Sequence, residues 1–126
     1  MVQPLKVRNG QLWDLYDSGA SHHMTPIRED FMTFQATMPR TMTATNQQEF
    51  TTDGIGDVII SVPNGSALNA ICLTSVLYTP LVGLTLVSIG WIDDAGYICL
   101  FGNGCCKICR GNGELVGIIP KQQVLY

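Results

Sequence analysis

Charge is what this 126-residue chain has least of: 13% of its residues are Asp, Glu, Lys or Arg, against 46% that are hydrophobic. The seven cations, Lys6, Arg8, Arg28, Arg40, Lys107, Arg110 and Lys121, are scattered, and the net charge is −3. No basic stripe forms, which argues against a nucleic-acid-binding domain. No stretch approaches the roughly 20 apolar residues of a membrane-spanning helix. The opening Met1-Val2-Gln3-Pro4-Leu5-Lys6 has no apolar run of the secretory kind. A soluble intracellular protein is the expectation. A disulfide framework is missing as well. The five cysteines are odd in number, and Cys105, Cys106 and Cys109 crowd together. Reduced thiols in strands fit that pattern. A zinc site built from Cys105 or Cys106, Cys109 and His22 or His23 has no second cysteine pair at matching spacing, so neither metal nor cofactor is expected.

What is present is a chain long enough for one modest core and apolar enough to be globular. So little charged surface also hints at a buried interface. Asn64-Gly65, Asn103-Gly104 and Asn112-Gly113 each separate apolar, β-branched stretches, as hairpin turns do. They predict strands over residues 57–62 and 67–73, and over 106–109 and 115–119. Further strands are predicted at 11–16, 41–45, 50–52, 75–78 and 97–101. One helix is predicted over 88–95, with Ser88 as N-cap, Ile89 and Ile92 on one face and Gly96 closing it. A second short helix is expected around 28–34. The fold class is mostly β with one short α-helix.

Among the polar residues, Asp17 has the most unusual setting. Leu12, Trp13, Leu15 and Tyr16 lead into it, and Ser18-Gly19-Ala20-Ser21 follows. An apolar strand that runs into a carboxylate and then a small-residue turn sets that carboxylate at a strand end, where a second backbone can approach. Read locally, Asp17 is more readily a turn-capping residue than a catalyst.

The run Asp17-Ser18-Gly19-Ala20 matches the D-[ST]-G-A signature of retroviral-type aspartic proteases. Its continuation, Ser21-His22-His23-Met24-Thr25, resembles the protease region of copia-type LTR retrotransposon polyproteins. So do Val76-Leu77-Tyr78-Thr79-Pro80, Leu84-Thr85-Leu86-Val87-Ser88, Asp93-Asp94-Ala95-Gly96-Tyr97 and the closing Gly117-Ile118-Ile119-Pro120-Lys121, especially as in fungal members. The resemblance implies a retropepsin-like closed β-barrel or sheet domain that works as a homodimer. Each subunit gives one Asp17 to a twofold active site that cleaves extended segments of a Gag-Pol polyprotein, in the cytoplasm within a virus-like particle. Two carboxylates in contact share a proton and activate a water without metal or covalent intermediate. Ser18 would link the two loops, Gly19 would hold its N–H beside the carboxylates, and Ala20 would support the turn. His22 and His23 are expected to be structural or surface residues.

Such an enzyme also needs a lid that grips extended peptide. The candidate flap has Thr-rich arms around Thr45, Asn46, Gln47 and Gln48, with Gly54 and Gly56 as hinges. Its Asn-Gln-Gln tip departs from the glycine-rich retroviral tips. Tyr16 stands where the family usually has leucine, and Ser88 replaces a retroviral glycine. Trp91 and Ile92 are expected in the core or an interface. Residues 1–101 are read as the protease domain, and 102–126 as a C-terminal hairpin extension packed on it. Residues 1–8 and 98–101 are the candidates for interleaved terminal strands. The competing readings are a non-catalytic dimerisation or binding module and a cysteine-centred zinc or thiol module.

Overall fold

The computed structural model describes residues 7–8, 11–12, 14–43, 47 and 49–125. Two short strands, β1 (Val7–Arg8) and β2 (Gln11–Leu12), form a small antiparallel pair ahead of β3 (Leu15–Asp17). Then come β4 (Met24–Thr25), a 3-10 turn (Arg28–Asp30), β5 (Phe31–Thr43), β6 (Glu49–Asn64) and β7 (Ala67–Tyr78). Strand β8 (Leu86–Ser88) leads directly into α1 (Ile89–Asp94). After it come β9 (Ile98–Gly102), β10 (Cys105–Cys109), β11 (Leu115–Pro120), a second 3-10 turn (Lys121–Gln123) and β12 (Val124–Leu125).

Seven strands make the main sheet, in the order β12-β3-β8-β4-β7-β6-β5, and β11-β10-β9 make a second. Strand β8 therefore threads between the consecutive strands β3 and β4. The ladder runs from β12 to β5, and the expected closure into a barrel by pairing of those two edges is not seen among the described residues. Alternation drives the packing. Val58, Ile60 and Val62 of β6, Ile71 and Leu73 of β7 and Cys106 and Ile108 of β10 alternate into a single core, which Val116 and Ile119 of β11 also join. Residues after 101 thus contribute to the same core as Tyr16 and Val87.

The turn chemistry is mixed in how closely it follows the dipeptides. Asn103 and Gly104 both take positive φ, 51° and 74°, as a type I′ hairpin requires. Between β6 and β7 the strands pair as far as Asn64 and Ala67, so the loop is Gly65-Ser66, one residue later than the Asn-Gly reading. Beyond Cys109 the loop is longer than two residues. Gly113 donates to the Arg110 carbonyl at 2.8 Å, and the Arg110 guanidinium meets Glu114 at 2.8 Å.

The helix expected around 28–34 is corrected to one 3-10 turn followed by strand. Phe31 is buried, and its ring stacks edge-on with Phe34 at 5.2 Å and Tyr78 at 6.0 Å. An extended segment that lays these aromatics on the core face buries more apolar surface than a short helix could. The strands predicted at 67–73 and 75–78 are one strand, kinked where Ser75 takes φ 56° and the register against β6 slips.

Gly117 of β11 lies hard against β6: a Cβ there would overlap the Val62 side chain and the Pro63 carbonyl. Gly117→Ala is therefore expected to cost about 1–3 kcal/mol by overpacking. A lower urea midpoint at unchanged slope would register it, and an unshifted midpoint would show that β11 can move away from β6.

Candidate active site

Asp17 is the last residue of β3 and is half-buried, whereas Ser18 and Gly19 just beyond it are exposed. The chain turns at once: Gly19 donates its N–H to Asp17 Oδ1 at 2.8 Å, and Ala20 donates to the Asp17 carbonyl at 3.4 Å. The carboxylate is thus fixed by its own turn at a half-buried position. Parallel neighbours flank it, with Asp17 in register with Ser88 of β8 on one side and with Leu125 of β12 on the other. Tyr16, the departure noted in the sequence, turns the other way and is fully buried in the core.

Beneath the turn sits a cluster that sequence reading did not assemble. Ser88 caps α1, its Oγ accepting from Trp91 N–H at 3.3 Å. The same Oγ donates to the Ala20 carbonyl at 2.7 Å, which ties the helix to the active-site turn across 68 positions. The Ser88 N–H donates to His23 Nδ1 at 2.9 Å. Trp91 Nε1 donates to the Ser21 carbonyl, and the Trp91 ring lies 5.7 Å from His22 and 5.8 Å from His23. One serine therefore joins helix, turn and histidine, a job that glycine at that position could not do. Below this cluster Thr25 Oγ1 and Thr85 Oγ1 hydrogen-bond at 2.8 Å in the core.

His23 is buried, and burial followed by the charge of His22 lowers its pKa from 6.5 to about 4. Because Nδ1 accepts from Ser88, the neutral ring carries its proton on Nε2. Both histidines support the turn, and neither reaches Asp17 through a recorded hydrogen bond. Nothing in the local sequence gave the His23–Ser88 link, because the two residues lie 65 positions apart.

Ser88→Ala is expected to cost about 1–3 kcal/mol, since it removes the cap and leaves the Ala20 carbonyl without its donor. Ser88→Thr, which keeps the hydroxyl, should recover most of that in thermal unfolding. Equal midpoints for wild type and Ser88→Ala would sink the clamp.

The flap candidates fall at the far end of the β5–β6 hairpin, whose last pair is Thr43 and Glu49. Thr45, Asn46 and Gln48 lie outside the described residues; Gln47 is exposed at φ 65°. The hinge assignment to Gly54 and Gly56 is corrected. A Cβ at Gly54 would strike the Phe34 ring and one at Gly56 the Thr33 carbonyl, so both glycines serve close strand contact. The ladder breaks instead between Ala36 and Arg40, where Thr37, Met38 and Pro39 oppose Asp53 alone, and Met38 is 85% exposed. A bulge with a proline interrupts the ladder there and weakens the hairpin locally.

Of the proposed terminal strands, Val7–Arg8 pairs with β2, residues 1–6 lie outside the described set, and Ile98–Gly102 is an edge strand bonded to β10. Cys106 faces the core while Cys105 lies on the opposite face of β10. Among the described residues no three His, Cys, Asp or Glu side chains gather as metal ligands do.

The architecture is that of a small mostly-β domain, and two comparisons place it in a retrotransposon Pol polyprotein. The Pol polyprotein, beta-barrel domain family matches residues 14–97, and the chain belongs to that family. It is also 31% identical over 96 residues to the retrovirus-related Pol polyprotein from transposon TNT 1-94 of Nicotiana tabacum. That alignment covers 76% of this chain and 7% of the relative, so the chain spans a small part of the polyprotein it matches. No solved structure matches it. No helix among the described residues is long and apolar enough to cross a membrane.

Proposed function

We propose that this domain is the aspartic endopeptidase of a copia-type retrotransposon, akin to fungal members, and that it cleaves Gag-Pol polyprotein segments as a homodimer. The observation that carries this reading is the Asp17 turn: a half-buried carboxylate at a strand end, held by Gly19 N–H, followed by exposed Ser18 and Gly19 and braced by Ser88. A turn built so firmly yet left at the surface suits a partner that brings the same turn to it.

In the dimer the two Asp17 carboxylates share one proton, because two adjacent charges cannot both persist. The ionised member takes a proton from water as that water attacks the peptide carbonyl. The protonated member donates to the carbonyl oxygen, and the amide nitrogen is protonated as the intermediate collapses. Ser18 links the two turns across the axis. The segment with Thr45, Asn46, Gln47 and Gln48 is the flap that grips extended substrate. The site needs neither metal nor cofactor, and its setting is a cytoplasmic virus-like particle.

The test is cleavage of extended peptides from the junctions of the parent polyprotein, measured against protein concentration and pH with a statine-type inhibitor. The expected result is acid-favoured, inhibitor-sensitive cleavage whose specific activity rises with dimer population. A stable dimer without cleavage would instead identify a non-catalytic dimerisation module that keeps the fold.

A further inference from the structure

Outside the Asp17 cluster, the densest chemistry lies in the second sheet. Strands β9 and β10 pair so that Cys99 opposes Ile108 and Cys106 opposes Phe101. Cys99 and Cys106 are therefore diagonal neighbours on one face of the ladder, the face that meets the core. Cys106 is 1% exposed, and Cys99 packs against the same core while staying half-open to solvent. The two thiols share that face and influence each other's titration. Cys105, on the other face, has its thiol turned to the Gly102 carbonyl at 3.3 Å. We infer that Cys99 and Cys106 form a redox-active pair, with Cys99 the thiol that attacks the oxidant and Cys106 the thiol that closes the disulfide.

The asymmetry of the pair supports those roles. Interaction with Cys106 lowers the Cys99 thiol pKa, while interaction with Cys99 and burial raise that of Cys106. The more acidic thiol is also the more open one, which is the setting in which a cysteine reacts. With a hydroperoxide as oxidant, the Cys99 sulfur attacks the outer oxygen. The S–O bond forms, the O–O bond breaks, and the departing alkoxide takes the Cys99 proton. Cys99 is then a sulfenic acid and the hydroperoxide is reduced to an alcohol. Cys106 sulfur displaces the hydroxide from Cys99, the S–S bond forms, and the hydroxide leaves as water with the Cys106 proton. Diagonal neighbours stand about 7–8 Å apart, just beyond the spacing a disulfide spans, so the bond closes only if β9 moves in by about an ångström or more. Strand β9 can make that move because it is bonded to β10 alone in its sheet. The closed bond pins an edge strand that packs against α1, the helix clamped to the active-site turn.

The experiment treats the reduced full chain with tert-butyl hydroperoxide and counts thiols with N-ethylmaleimide by intact mass. Two of the five thiols should become protected with a loss of 2 Da, and dithiothreitol should restore them. Chymotryptic cleavage after Phe101 should leave the Cys99 and Cys106 fragments joined until reduction. Cys105→Ser and Cys109→Ser should keep the cross-link, and Cys99→Ser should lose it. Cys105, Cys106 and Cys109 share one chymotryptic peptide, so tandem mass fragmentation of the linked wild-type pair between Cys105 and Cys106 and between Cys106 and Cys109 decides the matter even if a variant misfolds. A bond to Cys105 or Cys109, a cross-link between two chains, or five thiols that remain reactive would each overturn the assignment.

Discussion

Asp17→Asn is expected to abolish peptide cleavage, a loss of at least about 1,000-fold in kcat, while the dimer and the thermal midpoint stay close to wild type. The reason lies in what the amide keeps and what it loses. Its Oδ1 can still accept the Gly19 N–H that holds the carboxylate at 2.8 Å, so the turn has no cause to rearrange. Asparagine cannot ionise, however, and a pair of amides can neither take the proton of the attacking water nor deliver one to the carbonyl oxygen. Cleavage and sedimentation should be measured on the same preparation across an acid-to-neutral pH series. Activity that survives in the folded, dimeric variant would rule out the aspartic mechanism. Activity lost together with the dimer would assign Asp17 a structural part in assembly.

The parts of this molecule that sequence made legible are those written in consecutive residues. The strand-end position of Asp17, the Ser88 cap, the Asn103-Gly104 hairpin and the short helix each depend on local propensity, and the observed φ angles and cap bond follow it. What stayed hidden depends on distant partners. Residues 28–34 favour no element strongly, and the meeting of Phe31 and Phe34 with Tyr78 made them strand. Gly54 and Gly56 looked like hinges because glycine is permissive, but the Phe34 ring and the Thr33 carbonyl require them for want of space. The Ser88 clamp joins three segments 65 and 68 positions apart, and no spacing rule foretells it.

That clamp bears directly on the pH range in which the proposed chemistry can run. A shared-proton carboxylate pair favours acid, yet the turn that carries Asp17 is held through Ser88 to a histidine that must remain neutral. Protonated at Nδ1, His23 cannot accept the Ser88 N–H, and a buried imidazolium would stand beside His22. Acid thus promotes the reaction while loosening its support, and the activity profile should fall on its acid side sooner than the dyad alone would dictate.

Stability should therefore decline as pH falls from about 6.5 to about 4, with His23 as the responsible group. The sign follows from which state holds more protons. In the unfolded chain His23 titrates near 6.5, whereas in the fold burial and His22 hold it near 4. Between these values the unfolded state binds the additional proton, so the stabilisation is complete above 6.5 and lost as pH falls through the window. The full difference is about 3 kcal/mol, a large share of the stability of a domain this size. Asp30 cannot be the source of this loss: burial and then Glu29 raise its carboxyl pKa, so its contribution improves as pH falls. Urea unfolding of the wild type at half-unit pH steps should show the decline, and it should flatten in His23→Gln. The glutamine oxygen can accept the Ser88 N–H but does not titrate. Parallel curves for the two proteins between pH 6.5 and 4 would take His23 out of the account and leave the acid sensitivity to the carboxylates.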